Sequence, residues 1–175
     1  MCTEIETKLK VDSLEQIAEK LTVIDAEFFQ EQMQTDFYFD DANTALTKSD
    51  RCLRLRRQRT GEEERLFLTY KGAKEKDEFK KRQEIEIEVT DADSVEKLLS
   101  AIGYSRALVV EKKRQIWRLG KCSVALDELS SLGSFVEIEG PDGQRITDVQ
   151  KKLGLAHLSH IPKSYASLMA EQMAK

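Results

Sequence analysis

Glu84-Ile85-Glu86-Ile87-Glu88 is the stretch from which the fold of this chain is read, because its alternation recurs in Glu4-Ile5-Glu6 and in Glu137-Ile138-Glu139. A two-residue period is that of a β-strand, so the isoleucines point to one face and the carboxylates to the other. Carboxylates lined up on one strand face repel one another. Bulk water, basic side chains across a cavity, or a bound divalent metal must compensate them, and which of these does so largely decides the function. Each copy is followed by a helix-like stretch, a weak internal repetition with irregular spacing.

The basic residues keep the same period. Lys8 shares a face with Glu4 and Glu6, Arg82 with Glu84 and Glu86, Arg54 with Arg56, and Lys112 with Arg114. Lys71 ends a strand whose other face carries Leu66, Leu68 and Tyr70. In a β-sandwich such charged faces are simply solvated. The helical stretches, however, have apolar stripes that need a sheet face to cover, and the leucine and isoleucine faces supply one. If the sheet curls into a barrel with the helices outside, the charged faces turn inward and share a water-filled lumen. That lumen suits a highly anionic ligand carrying a divalent cation. Arginine and lysine would hold phosphate oxygens, and carboxylates would hold Mg²⁺ or Mn²⁺.

Working outward, strands are expected at residues 3–11, 34–40, 51–59, 65–71, 83–89, 108–119, 121–126 and 135–139. Helices are expected at 13–21, 94–102, 146–153 and 165–173, the first capped by Asp12 or Ser13 and the second by Asp91 or Asp93. Residues 41–50 read as a polar connection and 73–81 as a mobile charged loop over one end of the lumen. The class is α+β, in a single domain spanning 1–175.

The 28 basic and 32 acidic residues leave a formal charge of −4, which argues against a general nucleic-acid or membrane-surface binder. No stretch approaches the roughly 18 apolar residues of a membrane span. The residues before Glu4 show no basic start or apolar run, and Cys2, Cys52 and Cys122 lack CxxC spacing, which fits reduced thiols in a cytoplasm. There is no G-x-x-x-x-G-K-[ST] loop, so any nucleotide is held by side chains.

Glu4-Ile5-Glu6-Thr7-Lys8 matches the ExExK signature of the CYTH superfamily, the triphosphate tunnel metalloenzymes. Further stretches follow that family's order: Asp36-Phe37-Tyr38-Phe39-Asp40, Leu53-Arg54-Leu55-Arg56, Thr69-Tyr70-Lys71-Gly72, Arg82-Gln83-Glu84-Ile85-Glu86, Lys112-Lys113-Arg114, Leu126-Asp127-Glu128-Leu129, the run from Leu132 to Glu139, and Lys163-Ser164-Tyr165. The resemblance covers nearly the whole chain. It implies an eight-stranded antiparallel β-barrel open as a tunnel and flanked by helices. It implies triphosphate binding by Lys8, Arg54, Arg56, Lys71, Lys112 and Arg114, with Arg82 nearer the mouth, and Mg²⁺ or Mn²⁺ held by Glu4, Glu6, Asp127, Glu137 and Glu139. Glu84 and Glu86 would orient the basic residues, and Lys71 and Glu6 are the candidate catalytic groups. The resemblance also admits a homodimer, which no residue here marks.

The stretches around Thr69 and Leu132 resemble the class IV adenylate cyclase branch, which converts ATP to cyclic AMP and pyrophosphate. Enzymes of that branch carry a His-Phe pair shortly before ExExK, where this sequence has Met1-Cys2-Thr3. Hydrolysis of tripolyphosphate or thiamine triphosphate therefore stands as the alternative, and a non-catalytic polyphosphate or nucleotide binder as a second. Outside these motifs, His157 and His160 read as a surface turn and Trp117 and Tyr38 as packing. The arginines around Cys52 would lower its thiol pKa.

Overall fold

A computed structural model describes residues 2–75 and 79–174, the side chains of 2–4 and 80 excepted. Among the described residues, eight strands close into a barrel: β1 (Cys2–Val11), β2 (Glu27–Asp40), β3 (Cys52–Thr60), β4 (Glu63–Lys71), β5 (Lys80–Val89), β6 (Ser105–Leu119), β7 (Cys122–Leu129) and β8 (Gly133–Glu139). Their order around the ring is β1-β5-β4-β3-β2-β6-β7-β8, and every pairing is antiparallel. Five helices lie on this ring: α1 (Leu14–Val23), α2 (Ala45–Lys48), α3 (Ala92–Ala101), α4 (Gly143–Leu153) and α5 (Tyr165–Met173).

The alternation seen in the sequence becomes an inside and an outside. On β7 and β8, Val124, Leu126, Val136 and Ile138 turn outward and are fully covered by Ile17 and Leu21 of α1 and by Ile146, Val149 and Leu153 of α4. Ser13 caps α1 and Asp142 caps α4, each accepting a hydrogen bond from a first-turn N–H, and Gly154 ends α4 in the left-handed region at φ 72°. A second outer cluster joins Phe39 and Leu55 to Leu99 of α3. Ile85 and Ile87 on the outer face of β5 stay exposed, while the charged faces line the interior. Register then sets neighbours: Glu6 lies opposite Glu139, Lys8 opposite Glu137, and Lys71 opposite Glu84. The first and third Glu-Ile-Glu repeats thus meet at the seam between β1 and β8.

Several elements depart from the sequence expectation, β5 and α4 each beginning three residues early and β7 ending three residues late among them. β2 begins at Glu27, not 34, because β6 supplies a partner for its first half. A register shift between Phe28 and Gln30 breaks the alternation there and hides the strand. β6 starts at Ser105, three residues earlier than expected. The polar connection 41–50 contains α2, whose free N–H groups are capped by acids: Asp40 accepts from Leu46 N, Thr47 N and the Thr47 hydroxyl, and Asp41 from Ala45 N. In the expected mobile loop, Lys74 pairs with Asp50 at 2.7 Å, Glu75 N bonds Lys81 O, and Phe79 is buried in the outer core. The rest of that expectation, residues 76–78, lies outside the described residues.

β1 pairs with β5 only as far as Glu6. Beyond that point the Ile161 N–H bonds the Lys8 carbonyl at 2.8 Å, so the chain before α5 takes up the vacated edge. This crossing carries Tyr165 into the barrel, against Val110, Leu129 and Phe135.

Asp40→Ala should lower stability by about 1–3 kcal/mol in urea unfolding, because α2's N–H groups lose their buried acceptor. Asp40→Asn, which keeps one carbonyl oxygen, should recover part of that loss.

Candidate active site

A cavity of about 700 Å³ occupies the barrel interior. Its lining includes Glu6, Lys8, Arg54, Arg56, Lys71, Arg82, Glu84, Glu86, Lys112, Arg114, Glu137 and Glu139. The expected site residues are therefore brought to one place, with two exceptions. The side chain of Glu4 lies outside the described residues. Asp127 is fully buried behind the wall, where it accepts two hydrogen bonds from Arg114, at 2.6 and 2.5 Å, and one from the Tyr165 hydroxyl at 2.7 Å. Arg82, expected near the mouth, is buried in the lining.

Arg54, Arg56 and Arg114 are aimed by acids on neighbouring strands. Asp36 of β2 lies opposite Arg56 of β3 and takes both of its forked N–H groups at 2.6 and 2.8 Å, while Arg54 stands 3.9 Å away. Burial by itself would raise the Asp36 carboxyl, but the charges of Arg56 and Arg54 outweigh it and hold its pKa well below the usual range. Asp127 of β7 does the same for Arg114 of β6, directly opposite in register. Glu86 accepts from the Thr69 hydroxyl at 2.8 Å, and that hydroxyl accepts from Arg54 at 3.1 Å. Glu84 pairs with Lys71 at 2.6 Å. Glu137 pairs with Lys8 at 3.3 Å and with Arg114. Asp36 and Tyr165 lie in stretches quoted from the sequence, but neither was given a role at the site. Asp36 shares the inward parity of Gln34 within the expected strand 34–40, and only the register shows that Arg56 lies opposite it.

Two features leave hydrogen-bonding capacity on the basic side of the cavity unused. The Nε donors of Arg54 and Arg82 are buried and find no hydrogen-bond partner among the described residues. Lys112 is buried beside Arg114 and Arg56, and desolvation, with those charges, pushes its pKa down to about 7. Groups held this way are poised for an anion, which would satisfy the donors and draw the proton back.

Glu6, Glu137 and Glu139 line the cavity from adjacent, in-register positions on β1 and β8. Their hard carboxylate oxygens fit a hard divalent cation. Among the described residues no three His, Cys, Asp or Glu side chains form a ready-made cluster. His160 instead contacts Gln150 and stacks near Phe79. Cys52 lines the cavity, but burial raises its thiol pKa against the pull of Arg54, opposite to the effect expected from its neighbours. Trp117 packs edge-on against Phe28.

The family model for the CYTH domain matches residues 3–165, and the chain belongs to that family. A Methanocaldococcus jannaschii protein provisionally named an adenylate cyclase is 28% identical over 149 residues, spanning 85% of this chain and 81% of its own. The adenylate cyclase CyaB of Aeromonas hydrophila is 24% identical over 180 residues, spanning 97% and 90%. The solved PH1819 protein of Pyrococcus horikoshii superposes with a TM-score of 0.83 at 30% identity, covering 97% of this chain and 99% of that one. No helix among the described residues is long and apolar enough to cross a membrane.

A Lys112 pKa of about 7 implies that the folded state favours the neutral amine. Its folded pKa is depressed, so stability should rise with pH between about 7 and the ordinary lysine value of about 10.4. Binding of inorganic tripolyphosphate at pH 8 should accordingly take up about one proton. Calorimetry in buffers of different ionisation enthalpy reads this uptake, which should shrink toward pH 6 and vanish in Lys112→Gln. Equal uptake in the variant would assign the proton to another group.

Proposed function

We propose that this protein is a divalent-metal-dependent enzyme that binds the triphosphate of ATP in the barrel and closes it to cyclic AMP, releasing pyrophosphate. The observation that carries the reading is the set of inward cations, Lys8, Arg54, Arg56, Lys71, Arg82, Lys112 and Arg114, gathered around one cavity with carboxylates on β1 and β8 beside them. The names of the M. jannaschii and A. hydrophila relatives support it. The cavity lining also includes apolar side chains, Leu46, Leu53, Ala107, Leu108, Ala170 and Met173, which favours a substrate with an organic group over bare tripolyphosphate.

Attack on phosphorus needs the charge of the phosphates screened, and preorganised cations do so without reorganising during the reaction. Arg54, Arg56, Arg82 and Arg114 would grip phosphate oxygens through their forked N–H groups, while Lys8, Lys71 and Lys112 act as point charges. Glu6, Glu137 and Glu139, with Glu4, would hold the metal. When bound, Mg²⁺ or Mn²⁺ supplies neutralisation of phosphate charge and Lewis-acid polarisation of the phosphorus. Asp127 was expected among these ligands, but its oxygens serve Arg114 and Tyr165, and we assign it to orienting Arg114. Glu84 and Glu86 orient Lys71 and, through Thr69, Arg54. In the cyclisation the ribose 3′-oxygen bonds to the α-phosphorus, the bond to the bridging oxygen of the pyrophosphate breaks, and the hydroxyl proton leaves. Of the two candidate catalytic groups, Glu6 has the carboxylate that would receive that proton, while Lys71, as an ammonium, would donate to the phosphate oxygens.

The second reading is hydrolysis, in which water attacks the terminal phosphate of tripolyphosphate or thiamine triphosphate. The same cations serve it, because they recognise phosphate charge and not what is esterified to it. The free thiols of Cys52 and Cys122 support a reducing, cytoplasmic setting for either reaction.

A product assay decides between the readings. Purified protein with Mg²⁺ or Mn²⁺ and ATP should yield cyclic AMP and pyrophosphate. Orthophosphate, chiefly from tripolyphosphate or thiamine triphosphate, would establish the hydrolase, and tight binding without product would leave a binding module. Glu137→Gln combined with Glu139→Gln should lower turnover by about a hundredfold or more while sparing metal-free tripolyphosphate binding. Full turnover in the double variant would refute the metal assignment.

A further inference from the structure

Tyr165 enters the barrel from the start of α5, far in sequence from every cation it meets. The Lys8 ammonium stands 3.7 Å from its ring centroid and the Lys112 ammonium 4.8 Å. The ring itself is buried, and its hydroxyl donates to Asp127. From there the contacts return on themselves. Asp127 holds Arg114, Arg114 reaches Glu137, Glu137 pairs with Lys8, and Lys8 sits over the Tyr165 ring. Lys8 also donates to the Lys163 carbonyl at 3.1 Å, two residues before the ring, and the Ile161 N–H holds the Lys8 carbonyl from the other side. Both ends of Lys8, main chain and ammonium, are therefore fixed by the segment that delivers Tyr165.

Two ammonium groups crowded into one buried space repel each other, and neither has the forked geometry by which an arginine is locked to a carboxylate. An aromatic face attracts cations through its quadrupole, and the attraction grows once water is removed. Such a face adds to the seating that Glu137 gives Lys8 at 3.3 Å and Asp127 gives Lys112 at 3.9 Å, and it does so without a further negative charge that would compete with phosphate.

We propose that Tyr165 is a positioning residue that sets triphosphate affinity by holding Lys8 and Lys112 on its ring, so that α5 is part of the phosphate-binding apparatus as well as part of the wall. The proposal rests on the reading of the barrel as a triphosphate site.

The test measures the Kd for inorganic tripolyphosphate by calorimetry without metal, together with the melting temperature. Tyr165→Phe keeps the ring and should stay within about threefold of the unmodified protein. Tyr165→Leu keeps an apolar filling but loses the ring, and should weaken binding roughly five- to thirtyfold. Because the leucine variant also disturbs packing, phenylalanines with one, two and three ring fluorines at position 165 provide a second measure. They preserve shape while draining the face of negative potential. Stepwise weakening along that series at constant melting temperature supports the proposal. A flat series in a protein that binds tripolyphosphate overturns it and leaves the triphosphate reading intact. If the unmodified protein binds no tripolyphosphate, the triphosphate reading itself falls, and the role of Tyr165 with it.

Discussion

A guanidinium cannot shed its proton to escape burial, so a barrel that turns Arg54, Arg56 and Arg114 inward must bring their counter-charges along. Asp36 and Asp127 are those charges. Each lies on the strand next to its arginine and directly opposite it in register, and each engages the arginine through two hydrogen bonds. Removing either partner would strand the other in a low-dielectric interior, which is far costlier than never having built the pair. The placement of the strands therefore follows as much from these two ion pairs as from the outer leucines. A one-residue slip of β2 against β3, or of β6 against β7, would send every inward charge to the outside.

The pairing is deliberately incomplete. Asp36 and Asp127 aim the arginines but do not exhaust them, as the orphaned Nε of Arg54 shows. Lys112 is held so close to Arg114 and Arg56 that charging it is difficult. A fully satisfied interior would be more stable and would have nothing to offer a polyanion. The unsatisfied donors and the strained charge of Lys112 are held at the expense of stability, which an anion would restore on binding. The outer shell makes this tolerable, because α1 and α4 seal β1, β7 and β8 with a dense apolar core directly behind the most highly charged seam.

Much of this was legible in the chain because one rule, period-two alternation, governs both the fold and the site. Wherever an acid or a base alternated with leucine or isoleucine, as in Glu84 to Glu88 or Leu53 to Arg56, the strand and the direction of its charges could be read together. The failures mark where that rule is interrupted. The first half of β2 carries Phe28 beside Phe29 across a bulge, so its true face is scrambled, and with it the extent of the strand that carries Asp36. α2 has too few residues to show a period and exists because Asp40 and Asp41 cap it. Asp127 was expected as a metal ligand from the family resemblance. Only the register reveals that Arg114 lies opposite and claims it first. Tyr165 carried no signal in its own helix, since its contacts are set by the crossing of residues 161–163 over β1.

Charge alone leaves the nucleophile open. Cations around a triphosphate lower the barrier to attack at any of its phosphorus atoms, so what selects the α- or the terminal phosphorus is where the chain of phosphates stops in the barrel. That stop is a matter of the walls and not of the cations. Where Leu46, Ala107 and Met173 admit a nucleoside, they set how far the phosphates advance, and thereby which phosphorus comes to rest beside Glu6, Glu137 and Glu139. A substrate without that group has nothing to halt it at the same depth, and the same carboxylates then face a different phosphorus. On this account a change of reaction within such a barrel requires no change in the charged residues. It requires only a shift in the apolar lining, of which Leu46 of α2 and Ala170 and Met173 of α5 stand outside the sheet and can vary without disturbing the ion pairs between its strands.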